Sequence, residues 1–149
     1  MTIELSWKKV FEDDLDYICE ELKDQLESRS CIIFNGEVGA GKTTFIQHFM
    51  KETCDAENIL SPTYSIVNEQ GDFAHADFYR LVDPQEIIHL ELGLYADEKK
   101  YFLVEWGKEY LNEIKLQLGD SFKYFELSIE INSSEDAGTP SRNITFKSL

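Results

Sequence analysis

From position 36 to 43 the chain reads Gly36-Glu37-Val38-Gly39-Ala40-Gly41-Lys42-Thr43. Every fixed position of G-x-x-x-x-G-K-[ST] is filled. Such a run asks for a tight bend leading from a buried strand into a helix, and both neighbours agree. Ser30-Cys31-Ile32-Ile33-Phe34 is a short apolar run suited to a strand covered on both faces. Residues 43–52 place Phe45, Ile46, Phe49 and Met50 at helical spacing. Glycine permits backbone turns that a side chain would block. Amide hydrogens of the loop can then ring phosphate oxygens, aided by the positive end of the helix. Lys42 can reach the outer phosphates, and the Thr43 hydroxyl can meet Mg²⁺. A plain glycine-rich turn explains the glycines alone; strand, third glycine and helix together point to a phosphate cradle.

The same alternation of strand and helix continues. Residues 2–6 alternate as a short strand, and 13–26 carry Leu15, Ile18, Cys19, Leu22 and Leu26 at helical spacing. Residues 64–69 and 73–79 predict a hairpin turning at Gly71-Asp72. Pro84 suits the first turn of a helix running to about Leu92, with Gly93 ending it. Residues 101–104 predict a strand, 108–118 a helix, and 122–131 and 143–146 two further strands, with a loop over 132–141. The expected fold is a three-layer α/β sandwich of the P-loop NTPase kind, with a mainly parallel central sheet and antiparallel additions at its edges. The 149 residues fit one domain, 1–149.

Charge limits the function. Fourteen basic residues face 29 acidic ones, a formal net charge of −15, and no basic run stands out. Such a surface repels nucleic-acid phosphates, so a direct grip on RNA is not expected, although the acidity can equally serve solubility. No apolar run is long enough to cross a bilayer, and residues 1–5 lack the form of a signal peptide. The expected location is cytoplasmic. Cys19, Cys31 and Cys54 match no zinc spacing, and the first two read as small core residues.

Three further residues draw notice. Phe102-Leu103-Val104-Glu105 is an apolar strand ending in an acid, where a P-loop site often keeps a residue for the metal shell. In His75-Ala76-Asp77-Phe78-Tyr79-Arg80, period-two alternation sets His75, Asp77 and Tyr79 on one face. Thr63, after Pro62, has a hydroxyl that can meet a γ-phosphate or metal. An exposed strand end, an exposed sheet face and a simple turn explain the same three patterns, and the patterns alone do not choose.

Four blocks together resemble the TsaE family of bacterial ATPases, also called YjeE, which act in making threonylcarbamoyladenosine on tRNA. They are residues 35–45, then Ser61-Pro62-Thr63-Tyr64-Ser65-Ile66-Val67, then His75-Ala76-Asp77-Phe78-Tyr79-Arg80-Leu81, then Val104-Glu105-Trp106, with a shorter match at Glu91-Leu92-Gly93. The first block is generic to P-loop proteins; the other three are specific. The resemblance covers about residues 34–107. It implies that Gly39, Ala40, Gly41, Lys42, Thr43 and Thr44 bind the phosphates of ATP or ADP. It implies that Thr43 and Glu105 hold Mg²⁺, that Asp77 serves hydrolysis, and that Thr63 lies in a switch-like segment. Trp106 would mark the acidic strand end and face a partner. The implied partners resemble the TsaB–TsaD pair, in which TsaD transfers threonylcarbamoyl to an adenosine beside the tRNA anticodon, and ATP turnover would reset that complex.

The chain also departs from the family. Gly107-Lys108-Glu109 follows Glu-Trp where Pro or Ala then Glu is frequent, so Glu109 receives no role. Glu37-Val38 stands where Asp-Leu is common. The last third matches only in strand pattern and in Arg142, which suits either the adenine or the open surface. Two other functions use the same cradle: a small-molecule or nucleoside kinase, and a nucleotide-gated adaptor with little hydrolysis. A kinase usually needs an arginine-bearing lid, and the chain has only Arg29, Arg80 and Arg142 with no obvious lid segment.

Overall fold

Five consecutive buried residues at 30–34 force a strand to lie where both its faces are covered, and the sheet grows outward from that strand. The computed structural model describes residues 2–53, 66–133 and 138–149. Its strands are β1 (Glu4–Val10), β2 (Ser30–Asn35), β3 (Val67–Gln70), β4 (Phe73–Asp77), β5 (Tyr101–Glu105), β6 (Lys123–Ile131) and β7 (Arg142–Ser148). They form one sheet in the order β1-β7-β6-β2-β5-β4-β3. The central four, β6, β2, β5 and β4, run parallel. β7 and β1 add antiparallel on one side and β3 on the other. The expected mainly parallel centre with antiparallel edges is what the chain adopts.

Alternation along β2 divides the core. Ile32 and Phe34 face α1 (Leu15–Gln25) and α2 (Lys42–Thr53), packing with Ile18, Leu22, Phe45 and Ile46. Cys31 and Ile33 face the opposite layer of α3 (Gln85–Leu90), α4 (Leu92–Ala96) and α5 (Leu111–Leu118), packing with Ile87, Leu92 and Ile114. Both Cys19 and Cys31 are fully buried core residues, and burial pushes the Cys31 thiol well above its ordinary range. Cys54 lies outside the described residues.

Several boundaries move. β1 runs on to Val10 rather than stopping at residue 6, because it pairs with β7 and takes a register shift between Trp7 and Val10. The hairpin turns at Gly71-Asp72 as expected, Gly71 having φ +56°, and its first strand is paired from Val67. The second strand ends at Asp77, two residues early, because the Phe78 amide turns to donate to the Glu105 carbonyl. The helix after Pro84 does not end at Gly93. It breaks at Glu91, which takes a left-handed conformation with φ +53°, and Gly93 sits inside α4. The cause is tertiary. Gln117 on α5 accepts from the Leu92 amide and donates to the Ile87 carbonyl, each at 2.6 Å, so it satisfies backbone groups that the break sets loose. Among the described residues no helix is long and apolar enough to cross a membrane.

Candidate nucleotide site

Where the parallel strands end, backbone groups and helix N-termini converge, and in open α/β sheets ligands bind there. The loop of residues 36–41 occupies that position, between β2 and α2. Its glycines answer to space and conformation. A Cβ on Gly36 would stand 2.8 Å from the Ile129 carbonyl oxygen, and Gly41 has φ +108°. The Lys42 ammonium folds back over the loop, donating to the carbonyls of Gly36 at 2.5 Å and Glu37 at 3.1 Å. It also sits 4.1 Å from the centre of the Trp106 ring. Burial draws its pKa below the ordinary lysine value, against the opposing pull of Glu105 and Asp77.

The neighbouring strands bring the acids. β4 and β5 are parallel with Asp77 opposite Glu105. Glu105 is buried at 3% exposure and bonded at both oxygens. Oε1 accepts from the Thr43 hydroxyl at 2.8 Å, and Oε2 meets His75 Nε2 at 2.8 Å. Asp77 Oδ1 accepts from the Tyr79 amide at 3.0 Å. Burial raises the Asp77 carboxyl above its usual range; the Tyr79 N–H works against that, and Glu105 adds to it. Trp106 follows in a left-handed conformation, φ +60°, and its ring lies 5.0 Å from that of Tyr79. Lys42, Thr43, Asp77, Glu105 and Trp106 thus line one open cleft of about 390 Å³, together with Val38, Gly39, Gly41 and Thr44.

The oxygens here suit magnesium. A hydroxyl and a carboxylate are hard donors, and Thr43 and Glu105 present them 2.8 Å apart at the start of α2. Among the described residues no group of three or more His, Cys, Asp or Glu can hold a metal ion. Mg²⁺ usually binds through one or two such protein oxygens together with phosphate and water.

The sequence profile described as threonylcarbamoyl adenosine biosynthesis protein TsaE matches residues 11–144. The chain belongs to the TsaE family. Relatives named tRNA threonylcarbamoyladenosine biosynthesis protein TsaE include one from Rickettsia felis, 32% identical over 85% of this chain and 80% of that one. A second, from Bacillus subtilis, is 30% identical over 77% of this chain and 76% of its own. A third, from Nostoc, is 40% identical, but the match spans only about half of each protein, 50% and 48%. The crystal structure of Bacillus subtilis YdiB superposes with a TM-score of 0.65 at 25% identity, covering 99% of this chain and 87% of that one.

In this TsaE family member, the candidate residues do not all share one place. Glu37 is exposed, whereas Ala40 is buried and faces a second cleft on the far side of the loop. Thr63 lies outside the described residues. Two residues gain contacts that pattern reading did not give them. His75, read only as one of three on a strand face, touches Glu105 directly. Arg142 faces neither open surface nor an unconstrained pocket. Its Nε donates to the Ala40 carbonyl at 3.0 Å, its second nitrogen to Gly39 at 3.4 Å and its third to Pro140 at 2.8 Å. It braces the loop from behind and lines the second cleft, about 210 Å³, with Phe11, Leu15, Thr44 and Ile129. The signal for His75 was its alternation with Asp77; nothing local marks Arg142.

Proposed function

We propose that this chain is a P-loop ATPase that serves threonylcarbamoyladenosine formation on tRNA, binding ATP with Mg²⁺ and hydrolysing it slowly unless a partner complex is present. It would act as one domain, 1–149, in the cytoplasm. The observation that carries this reading is the meeting of Lys42, Thr43, Asp77 and Glu105 in one cleft at the mouth of the P-loop. Lys42 already holds two carbonyl oxygens and would exchange them for the outer phosphate oxygens. The loop amides and the start of α2 would hold the remaining phosphate charge. Bound Mg²⁺ would neutralise part of that charge and polarise the terminal phosphoryl group. Thr43 and Glu105 are the residues that would hold it. Asp77 has one oxygen engaged by the Tyr79 amide, leaving Oδ2 to accept a hydrogen bond from the attacking water and orient it. The base would enter the second cleft, beside Phe11 and Ile129.

The net charge of −15 supports docking on proteins resembling the TsaB–TsaD pair rather than on tRNA itself. A kinase has less support. Of the three arginines, Arg142 is committed to loop carbonyls and Arg29 to those of Lys99 and Ala96 while stacking on Phe122, which leaves the exposed Arg80 alone to serve a lid. Calorimetry with ATP and Mg²⁺, followed by phosphate release with and without the partner pair, tests the proposal. We expect binding by the isolated chain and faster release with the pair. A folded chain that takes up neither ATP nor ADP overturns it.

A further inference from the structure

His75 is a buried polar side chain with an unusual bonding record. Its residue is 2% exposed, its Nε2 lies 2.8 Å from Glu105 Oε2, and its Nδ1 has no hydrogen-bond partner among the described residues. The ring's one polar attachment there is Glu105. A histidine kept only to knit the core together would normally engage both nitrogens, since an unpaired buried acceptor costs free energy. The arrangement holds the partner, not the ring.

The effect passes through Glu105 to Thr43. A glutamate gripped at one oxygen alone can rotate about its last bond; Glu105 is gripped at both. With Glu105 ionised, His75 Nε2 carries the proton and donates to Oε2. The Thr43 hydroxyl gives its single proton to Oε1, so its lone pairs are left for a cation. Fixing the carboxylate plane therefore fixes where those lone pairs point.

Resting on the nucleotide reading above, we propose that His75 is a positioning residue for the metal side of the site, holding Glu105 so that the Thr43 hydroxyl faces the cation. It touches neither nucleotide nor metal. Residues that orient a metal's ligands from behind typically matter 10–100-fold to metal affinity.

The test compares ADP binding by calorimetry in Mg²⁺ and in EDTA, for the wild-type chain, His75→Phe and His75→Gln. Phenylalanine keeps an aromatic ring, somewhat larger than imidazole, without a donor; the glutamine amide reaches about as far as Nε2. We expect the gain in affinity that Mg²⁺ confers to fall about tenfold or more in His75→Phe, with affinity in EDTA within about twofold of wild type, and His75→Gln to recover most of the gain. His75→Asn, whose amide falls short of Glu105, should behave like His75→Phe and substitutes for it if that variant does not fold. Equal losses in Mg²⁺ and EDTA, an unchanged Mg²⁺ gain, or no recovery by glutamine overturn the role of His75. Absence of ADP binding by the wild-type chain overturns the nucleotide reading as well, which separates the two failures.

Discussion

The two sides of the P-loop are built on opposite principles. The side proposed to hold phosphate is charged and built mainly from one run of chain. Its cleft takes Val38, Gly39, Gly41, Lys42, Thr43 and Thr44 from one run of chain, and Asp77 and Glu105 from the ends of adjacent parallel strands. The opposite side is mostly apolar and assembled from distant pieces, Phe11 and Leu15 near the start, Ile129 and Arg142 near the end. Arg142 reaches loop carbonyls 102 and 103 positions away. The contrast teaches where chemistry constrains sequence. Holding a polyphosphate needs particular donors at particular spacing, so it leaves a motif. Enclosing a flat ring needs only shape and apolar area, which many residue combinations supply.

The phosphate side should fail first and furthest. Lys42→Ala removes the main counter-charge and should weaken ATP binding by roughly three powers of ten, since deleting one member of a buried charge pair costs about 2–5 kcal/mol. Calorimetry on a variant with a wild-type circular dichroism spectrum measures this; near-normal affinity would mean that the motif is not the anchor. Asp77→Asn should separate binding from chemistry, leaving affinity close to wild type while turnover falls about 100-fold. It should also stabilise the fold. Burial raises the Asp77 carboxyl above its usual range, so the folded chain binds that proton more tightly than the unfolded one does. Such a group costs stability as pH rises through the raised value. Asparagine removes the cost, so the variant should melt higher than wild type near neutral pH, with the difference vanishing once the medium is acid enough to protonate Asp77 in both states.

The same contrast explains what was legible in the sequence. Four apolar residues, Cys31 to Phe34, before the glycines and a helical pattern after them determined β2, α2 and the loop between, and alternation placed the hairpin. Glu105 stood out as the acid ending an apolar strand and Asp77 through its alternation with His75 and Tyr79, although pattern alone left both open and the family resemblance raised them. The break at Glu91 was not legible. Gly93 is the better local stop signal, and the real cause is Gln117 on another helix. His75 and Arg142 were hidden for the same reason, since each has its role through a partner contributed by a different strand or loop. Thr63 sits in a segment outside the described residues.

Arg142 belongs to both sides and offers a sharper probe of the division. Its guanidinium donates to the loop carbonyls of Ala40 and Gly39, so on the proposed reading Arg142→Met should loosen the cradle without removing a phosphate ligand. Hydrogen bonds from a charged group contribute about 1.5–3 kcal/mol. Part of that would be lost from stability and part from binding, so we expect affinity to fall about tenfold for ADP and for pyrophosphate alike. Loss confined to ADP would instead assign Arg142 to the base.

Phe11→Ala should give the smallest change and the most selective one. The ring is 48% exposed and lines the rim of the apolar cleft, so its removal should leave the fold intact. Pyrophosphate bypasses that cleft, and its affinity should not move. ADP should bind about fivefold more weakly, corresponding to about 1 kcal/mol, the low end for a base stacked on an aromatic ring. Inosine diphosphate should lose as much as ADP, because an apolar rim reads area rather than the edge of the base. A variant that weakens pyrophosphate equally would show that the two clefts act as one, and the division drawn here between a charged, local side and an apolar, assembled side would fall.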